Sequence, residues 1–135
     1  MGLTDTLFIS ASGMKAQGAR MRVLAENVAN ANSLPKTPEG EPYRRKIITF
    51  ENMMNDQLGV HQVKVEDISR DQSDFGRKYR PDHPAANQEG YVRTPNVKPL
   101  VEMADMKEAQ RSYEANLKVI EASRQMVRGT LGLLR

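Results

Sequence analysis

No cysteine occurs anywhere in the chain, which excludes disulfides, thiolate metal sites and cysteine nucleophiles together. That absence does not assign a compartment, because a cysteine-free chain works in an oxidising space without mispairing. Tryptophan is missing too, and with only three Phe and four Tyr the rings that supply much of a small core's buried area are scarce. Eight Met partly replace them, and the flexible Met stem fits several neighbours. The chain also lacks an excess of one charge. Its 20 basic and 17 acidic residues give a net +3 spread along the sequence, too weak a field to concentrate nucleic acid or an anionic membrane. No run is long and apolar enough to span a bilayer. Thr4, Asp5, Thr6 and Ser10 interrupt the apolar stretch near the start, so a cleavable secretory signal is not expected. Met1-Gly2 with Thr6 fits the loose N-myristoylation pattern, but Gly2 leads straight into an expected helix and chance is the preferred explanation.

Catalytic constellations are absent as well. His61 and His83 are the only histidines, and neither stands at ligand spacing with another His or a carboxylate pair. Asp71 with Asp74, and Glu66 with Asp67, are acidic neighbours in polar segments, where solvation is the ordinary fate. No glycine-rich phosphate loop, nucleophile elbow or dinucleotide fingerprint occurs, so the chain reads as a non-enzyme with no cofactor and no metal. The run Tyr43-Arg44-Arg45-Lys46 suits nucleic acid less well than protection of a strand edge. Arg124, Arg128 and Arg135 read as cations favourably placed near a helix C-terminus.

What the chain does have is a seven-residue apolar repeat at each end. Leu7, Met14, Met21 and Val28 recur at that period, with Ala11, Gly18 and Ala25 four positions after successive members. Met106, Tyr113, Ile120, Val127 and Leu134 do the same near the other end, joined by Met103, Leu117 and Leu131. The spacing predicts one helix from about Thr4 to Ala31, capped by Thr4 or Asp5, and another from Lys98 or Pro99 to Gly129 or beyond. A helix of roughly 28 residues is about 42 Å long. Glycine inside a helix costs about 1 kcal/mol against alanine, so Gly13 and Gly18 point to close approach of a neighbouring backbone, the alternative being weak positions that a long helix tolerates.

Between the repeats, Asn27 to Ser33 ends the first helix, with three Asn side chains suited to local backbone bonds or to left-handed geometry. The proline-rich stretch Leu34 to Pro42 excludes helix. Tyr43 to Glu51 predicts a strand and Val60 to Ile68 a second, while residues 52–59 fit either a helical turn or a hairpin loop. Residues 71–96 carry Gly76, Pro81, Pro84, Gly90 and Pro95 with little periodicity. Phe75, Tyr79, Tyr91 and Val92 mark this segment as an ordered excursion. The expected fold is mainly α: long terminal helices pair as an antiparallel coiled coil around a small irregular, β-containing insertion. Its segments are residues 1–33, 34–97 and 98–135, with the two helices forming one coiled-coil domain.

Three groups of residues carry a family resemblance. Ala11-Ser12-Gly13-Met14-Lys15-Ala16-Gln17, Arg20-Met21 and Glu26 through Ser33 resemble the bacterial flagellar axial proteins, the rod and hook components. Glu102-Met103, Ser112 through Asn116 and Ile120 through Ser123 are similar to that family's C-terminal helix. In the middle, Pro81 through Ala85, Gly90-Tyr91-Val92 and Pro95-Asn96-Val97 resemble its proximal-rod members. Only Ser33, where Thr is commoner, and residues 52–80 depart from the pattern.

The resemblance implies a basal-body rod subunit that assembles helically into the torque-transmitting shaft around the export channel. It also implies passage through the flagellar type III apparatus without a cleavable signal, and partnership with itself, other rod proteins, the base-adapter protein and the export apparatus. Asn27, Asn30, Asn32, Gly90, Tyr91, Pro95 and Asn96 are the motif positions carried over. The competing reading from the heptads alone is a soluble coiled-coil adaptor that binds a partner helix.

Overall fold

The computed structural model describes residues 2–135, so Met1 of the lipidation pattern lies outside the described residues. The first helix, α1 (Leu3–Ala29), begins at Gly2, whose N–H donates to Asp5 Oδ2 at 2.7 Å while its carbonyl accepts the Thr6 N–H. An acid three places into a helix that reaches back to the cap N–H is one half of a capping box. The cap is therefore Gly2, and Thr4 and Asp5 lie inside the first turn rather than capping it. The helix ends at Ala29, two residues short of the expected Ala31. There Asn30 closes on Glu26 through both its backbone N–H and its side-chain amide.

At the other end, α2 (Pro99–Leu133) starts on a proline, which has no N–H to leave unpaired at that position. Lys98 supplies the carbonyl for the N–H groups of both Val101 and Glu102. No basic residue occupies the last turn of α2, so Arg124 and Arg128 do not neutralise the final carbonyls as their spacing suggested.

Two small sheets separate the helices. β1 (Lys46–Asn55) and β2 (Val60–Arg70) form an antiparallel hairpin, which resolves residues 52–59 as strand end plus turn. Asn55 builds that turn: its side-chain Oδ1 accepts the N–H groups of Gln57 and Leu58, and Gly59 takes the left-handed conformation at φ 66°. β1 starts at Lys46 rather than Tyr43. The second sheet pairs β3 (Gly76–Tyr79) with β4 (Tyr91–Thr94), antiparallel, with Arg77 opposite Arg93 and Tyr79 opposite Tyr91. Four-residue strands joined by a proline-containing loop leave almost no periodic signal, which is why residues 71–96 read as an irregular excursion.

The chain divides into two compact units. One combines the chain up to Met21 with Ile48–Asp67 and Lys107–Arg135, and the other combines Arg22–Ile47 with Ile68–Met106. In the first, Ser10 and Ala16 of α1, Ala109 and Ser123 of α2, and Val60 of the hairpin are buried. The second buries Val23, Leu24 and Ala31 from its α1 side, and Val92, Val97 and Ala85 from the segment leading into α2.

Candidate functional site

The most constrained cluster of side chains lies in the second unit and is polar. Asn27, fully buried near the end of α1, uses its whole hydrogen-bonding capacity. Its amide Nδ2 donates to the Lys46 carbonyl at 2.9 Å and to Glu102 Oε2 at 3.1 Å, while its Oδ1 accepts the Lys46 N–H at 2.9 Å and the Tyr43 hydroxyl at 2.8 Å. A carboxamide is chemically a peptide group, so Asn27 bonds both backbone groups of Lys46 as a neighbouring strand would. Aspartate lacks the two donors and alanine lacks everything.

Glu102, 1% exposed, is the second node. Its Oε1 accepts from Arg45 Nε, and Arg45 Nη1 lies 3.5 Å from Asp71 Oδ2. The bond to Glu102 holds the Arg45 guanidinium above its ordinary value. Asn96 closes the cluster: its Oδ1 accepts the Arg45 N–H at 2.7 Å, and its Nδ2 donates to the carbonyls of Asp71 and Ser73 and to the Ser73 hydroxyl. The Ser73 N–H, donating to Asp71 Oδ1, leads the interactions that lower the Asp71 carboxyl below its ordinary 3.8. At the rim, the Lys46 ammonium bonds Glu26 and lowers that carboxyl below 4.5. Burial pushes the Tyr43 phenol above 10.0, which preserves the proton it donates to Asn27.

Aromatic contacts brace the same region. Phe75 has the Arg44 guanidinium 4.3 Å from its ring centroid and that of Arg93 at 5.6 Å. Gly90 takes φ +87°, and a Cβ there would stand 2.8 Å from Tyr79 Cε2, so both backbone and space require glycine. Pro95 is buried, Asn30 bonds its own helix, and Asn32 is exposed with no side-chain hydrogen bond among the described residues. The expectation that all three Asn serve local backbone therefore needs correction: Asn27 reaches across the sequence to Lys46 and Glu102. Arg45 and Lys46 are likewise corrected from edge protection to partners of buried or half-buried carboxylates. His83 Nδ1 accepts the Ala85 N–H, and among the described residues no cluster of three or more His, Asp or Glu is placed to hold a metal ion.

The helical repeats line the first unit, and one contact of each row falls in the second. Leu7, Met14, Gly18, Met21 and Val28 are half-buried, as are Met106, Tyr113 and Ile120. Ala11, Ala25, Leu117, Val127 and Leu131 are exposed. Innermost on α2 is a different seven-residue row, Glu102, Ala109, Asn116 and Ser123, whose members are small or polar. A Cβ added at Gly13 would lie 2.8 Å from Asn116 Nδ2, whereas at Gly18 nothing stands within 4 Å. Arg20 approaches Glu108 at 3.6 Å. Reading the seam from side-chain size missed this row; the visible signal was the Glu-Ala-Asn-Ser register itself.

Comparison with known proteins matches both ends of the chain. Residues 7–33 match the family described as "Flagella basal body rod protein", and residues 88–133 match "Flagellar basal body rod FlgEFG protein C-terminal". Among similar proteins, the flagellar basal-body rod protein FlgC of Agrobacterium fabrum is 47% identical over 94% of this chain and 91% of its own length. That of Borreliella burgdorferi is 38% identical over 100% and 99%, and that of Bacillus subtilis 41% identical over 90% and 91%.

Proposed function

The chain belongs to the FlgC family of flagellar basal-body rod proteins, and on that premise we propose that it is built into the proximal rod as one of many helically arranged subunits. It is a structural protein of the basal body, not an enzyme, and it assembles with other rod components. Near full-length similarity to proteins of that name carries the reading. In the assembled rod the subunit transmits torque and helps enclose the export channel. It arrives through the flagellar type III system without a cleavable signal, and it meets the base-adapter protein and neighbouring axial proteins.

The two terminal helices act as one antiparallel coiled-coil module, with residues 34–97 as its insertion. Supporting this, in one unit Gly13 meets Asn116 and the later Arg20 meets the earlier Glu108, the reversed order of antiparallel helices, and in the other unit Asn27 of α1 meets Glu102 of α2. The motif residues hold the module together: Asn27 and Asn96 lock it through Lys46 and Arg45, and Gly90, Tyr91 and Pro95 lead the chain into α2. Exposed Leu117, Val127 and Leu131, with Ala11, Gly18 and Ala25 as close-approach positions, face adjacent subunits. Heterologous contacts that do not close a ring generate a helical tube.

The test is complementation. In a flagellated strain deleted for its own protein of this family, expression of the chain restores swimming in soft agar and places it in purified basal bodies. Cells that swim while their basal bodies exclude the chain would contradict the reading.

A further inference from the structure

Two charged patches are left unused by the fold. Between Gly76 and Arg80 the chain carries Arg77, Lys78 and Arg80 with no acid, and β3 is exposed along its whole length. The register places Arg77 directly opposite Arg93, and like charges facing across strands disfavour the pairing. Arg93 is occupied by the Gly40 carbonyl at 2.8 Å and by the Phe75 ring, not by a carboxylate. Among the described residues, no ion pair involves Arg77, Lys78 or Arg80, whereas Arg44, Arg45 and Lys46 in the same unit are all paired. Beside the cations stand Tyr79, 62% exposed, and Tyr91, 40% exposed, their rings edge-to-face at 5.3 Å. Tyr and Arg are the residues that interface cores favour.

The complementary patch is the β1–β2 hairpin. Residues 48–67 hold Glu51, Asp56, Glu66 and Asp67 against the single Lys64. All four carboxylates are exposed, and none is in an ion pair among the described residues. Exposed Met53, Met54 and Leu58 supply apolar surface on the same hairpin.

We infer that in the polymer the acidic β1–β2 hairpin of one copy docks on the basic, tyrosine-bearing β3–β4 face of a second copy. This rests on the rod reading above, because a polymer is what brings the two patches together at high local concentration. Opposite potentials set the register between copies, and like-signed patches hold wrong registers apart. The contact is heterologous, hairpin to strand, and so propagates along an assembly instead of closing a dimer.

Charge reversal with rescue tests it in complemented cells. The triple variant Arg77→Glu/Lys78→Glu/Arg80→Glu should lower the amount of chain in purified basal bodies by about tenfold or more, and reversing Glu51, Glu66 and Asp67 to Lys in the same chain should restore it. Because the chain has no native cysteine, a thiol cross-linker also reads the contact cleanly. Two co-expressed chains of different size, one with a cysteine at an acidic hairpin position and one with a cysteine at Arg77, Lys78 or Arg80, should give a mixed dimer in basal bodies. Normal incorporation of the triple variant overturns the inference, as does a loss that hairpin reversal fails to rescue, which would assign the β3 face to another acidic protein. Cross-linking only when both cysteines are in one chain also overturns it. If the wild-type chain itself is excluded from basal bodies, the rod reading fails instead, and the two failures are distinguishable.

Discussion

At the scale of single residues, Asn27 is the position where chemistry is least negotiable. Its four bonds are divided two as donor and two as acceptor, so replacement by Asp keeps the shape and reverses half the pattern. Asn27→Asp puts a carboxylate oxygen against the Lys46 carbonyl and beside the Glu102 carboxylate, which we expect to destabilise the fold by about 3 kcal/mol or more. Asn27→Ala removes the repulsion but strands the Lys46 groups, at about 1–3 kcal/mol. Thermal unfolding of the purified chain checks the order: wild type above Asn27→Ala above Asn27→Asp. The family resemblance marked Asn27 as a motif residue but not as a long-range one. Its partners Lys46 and Glu102 lie 19 and 75 positions away, and no local pattern encodes such a pairing.

At the scale of elements, the two long helices are legible because apolar periodicity accumulates over many turns. Which row of that period faces inward is less legible. Large side chains suggested Met106, Tyr113 and Ile120, yet the buried positions of α2 are Glu102, Ala109 and Ser123, at 1%, 0% and 4% exposure, none of them a large apolar residue. Two helical glycines also differ in their surroundings. Gly13→Val should crowd the Asn116 amide and destabilise the free chain by about 1–3 kcal/mol. Adding Asn116→Ala should recover much of the loss, a coupling that a double-mutant cycle of melting data measures. Gly18→Leu meets open space within the chain and gains roughly 0.5–1 kcal/mol of helix propensity, so the free chain should melt no lower than wild type. In cells the same variant should leave export intact and block incorporation. Normal rods built from it would remove Gly18 from the subunit interface. The second sheet was illegible for the opposite reason: two four-residue strands give pattern-based reading too little to count.

At the scale of the whole molecule, one run of uncovered apolar surface lies at the end of α2 and just past it. Met126, Leu131, Leu133 and Leu134 are 58%, 56%, 89% and 79% exposed, more apolar side chain than a solitary helix end has reason to present. Leu131→Glu with Leu134→Glu should leave unfolding of the free chain within about 0.5 kcal/mol, as surface changes usually do, and abolish swimming. A variant that melts normally and swims normally would release this end from assembly. Family and function were legible from three ordered groups of motif residues; the basic β3 face was not, because Arg77 and Arg93 become neighbours only through the strand register.

One consequence follows from the Asn27 amide lying along the Lys46 peptide. A lone hairpin offers its free rim to any extended polypeptide it meets, and that recruitment is the first step of gelation. By occupying both hydrogen-bonding groups of the first residue of β1, a side chain from the neighbouring helix acts as a stopper at that point. Identical molecules crowded together are thereby less able to zip onto one another at that residue.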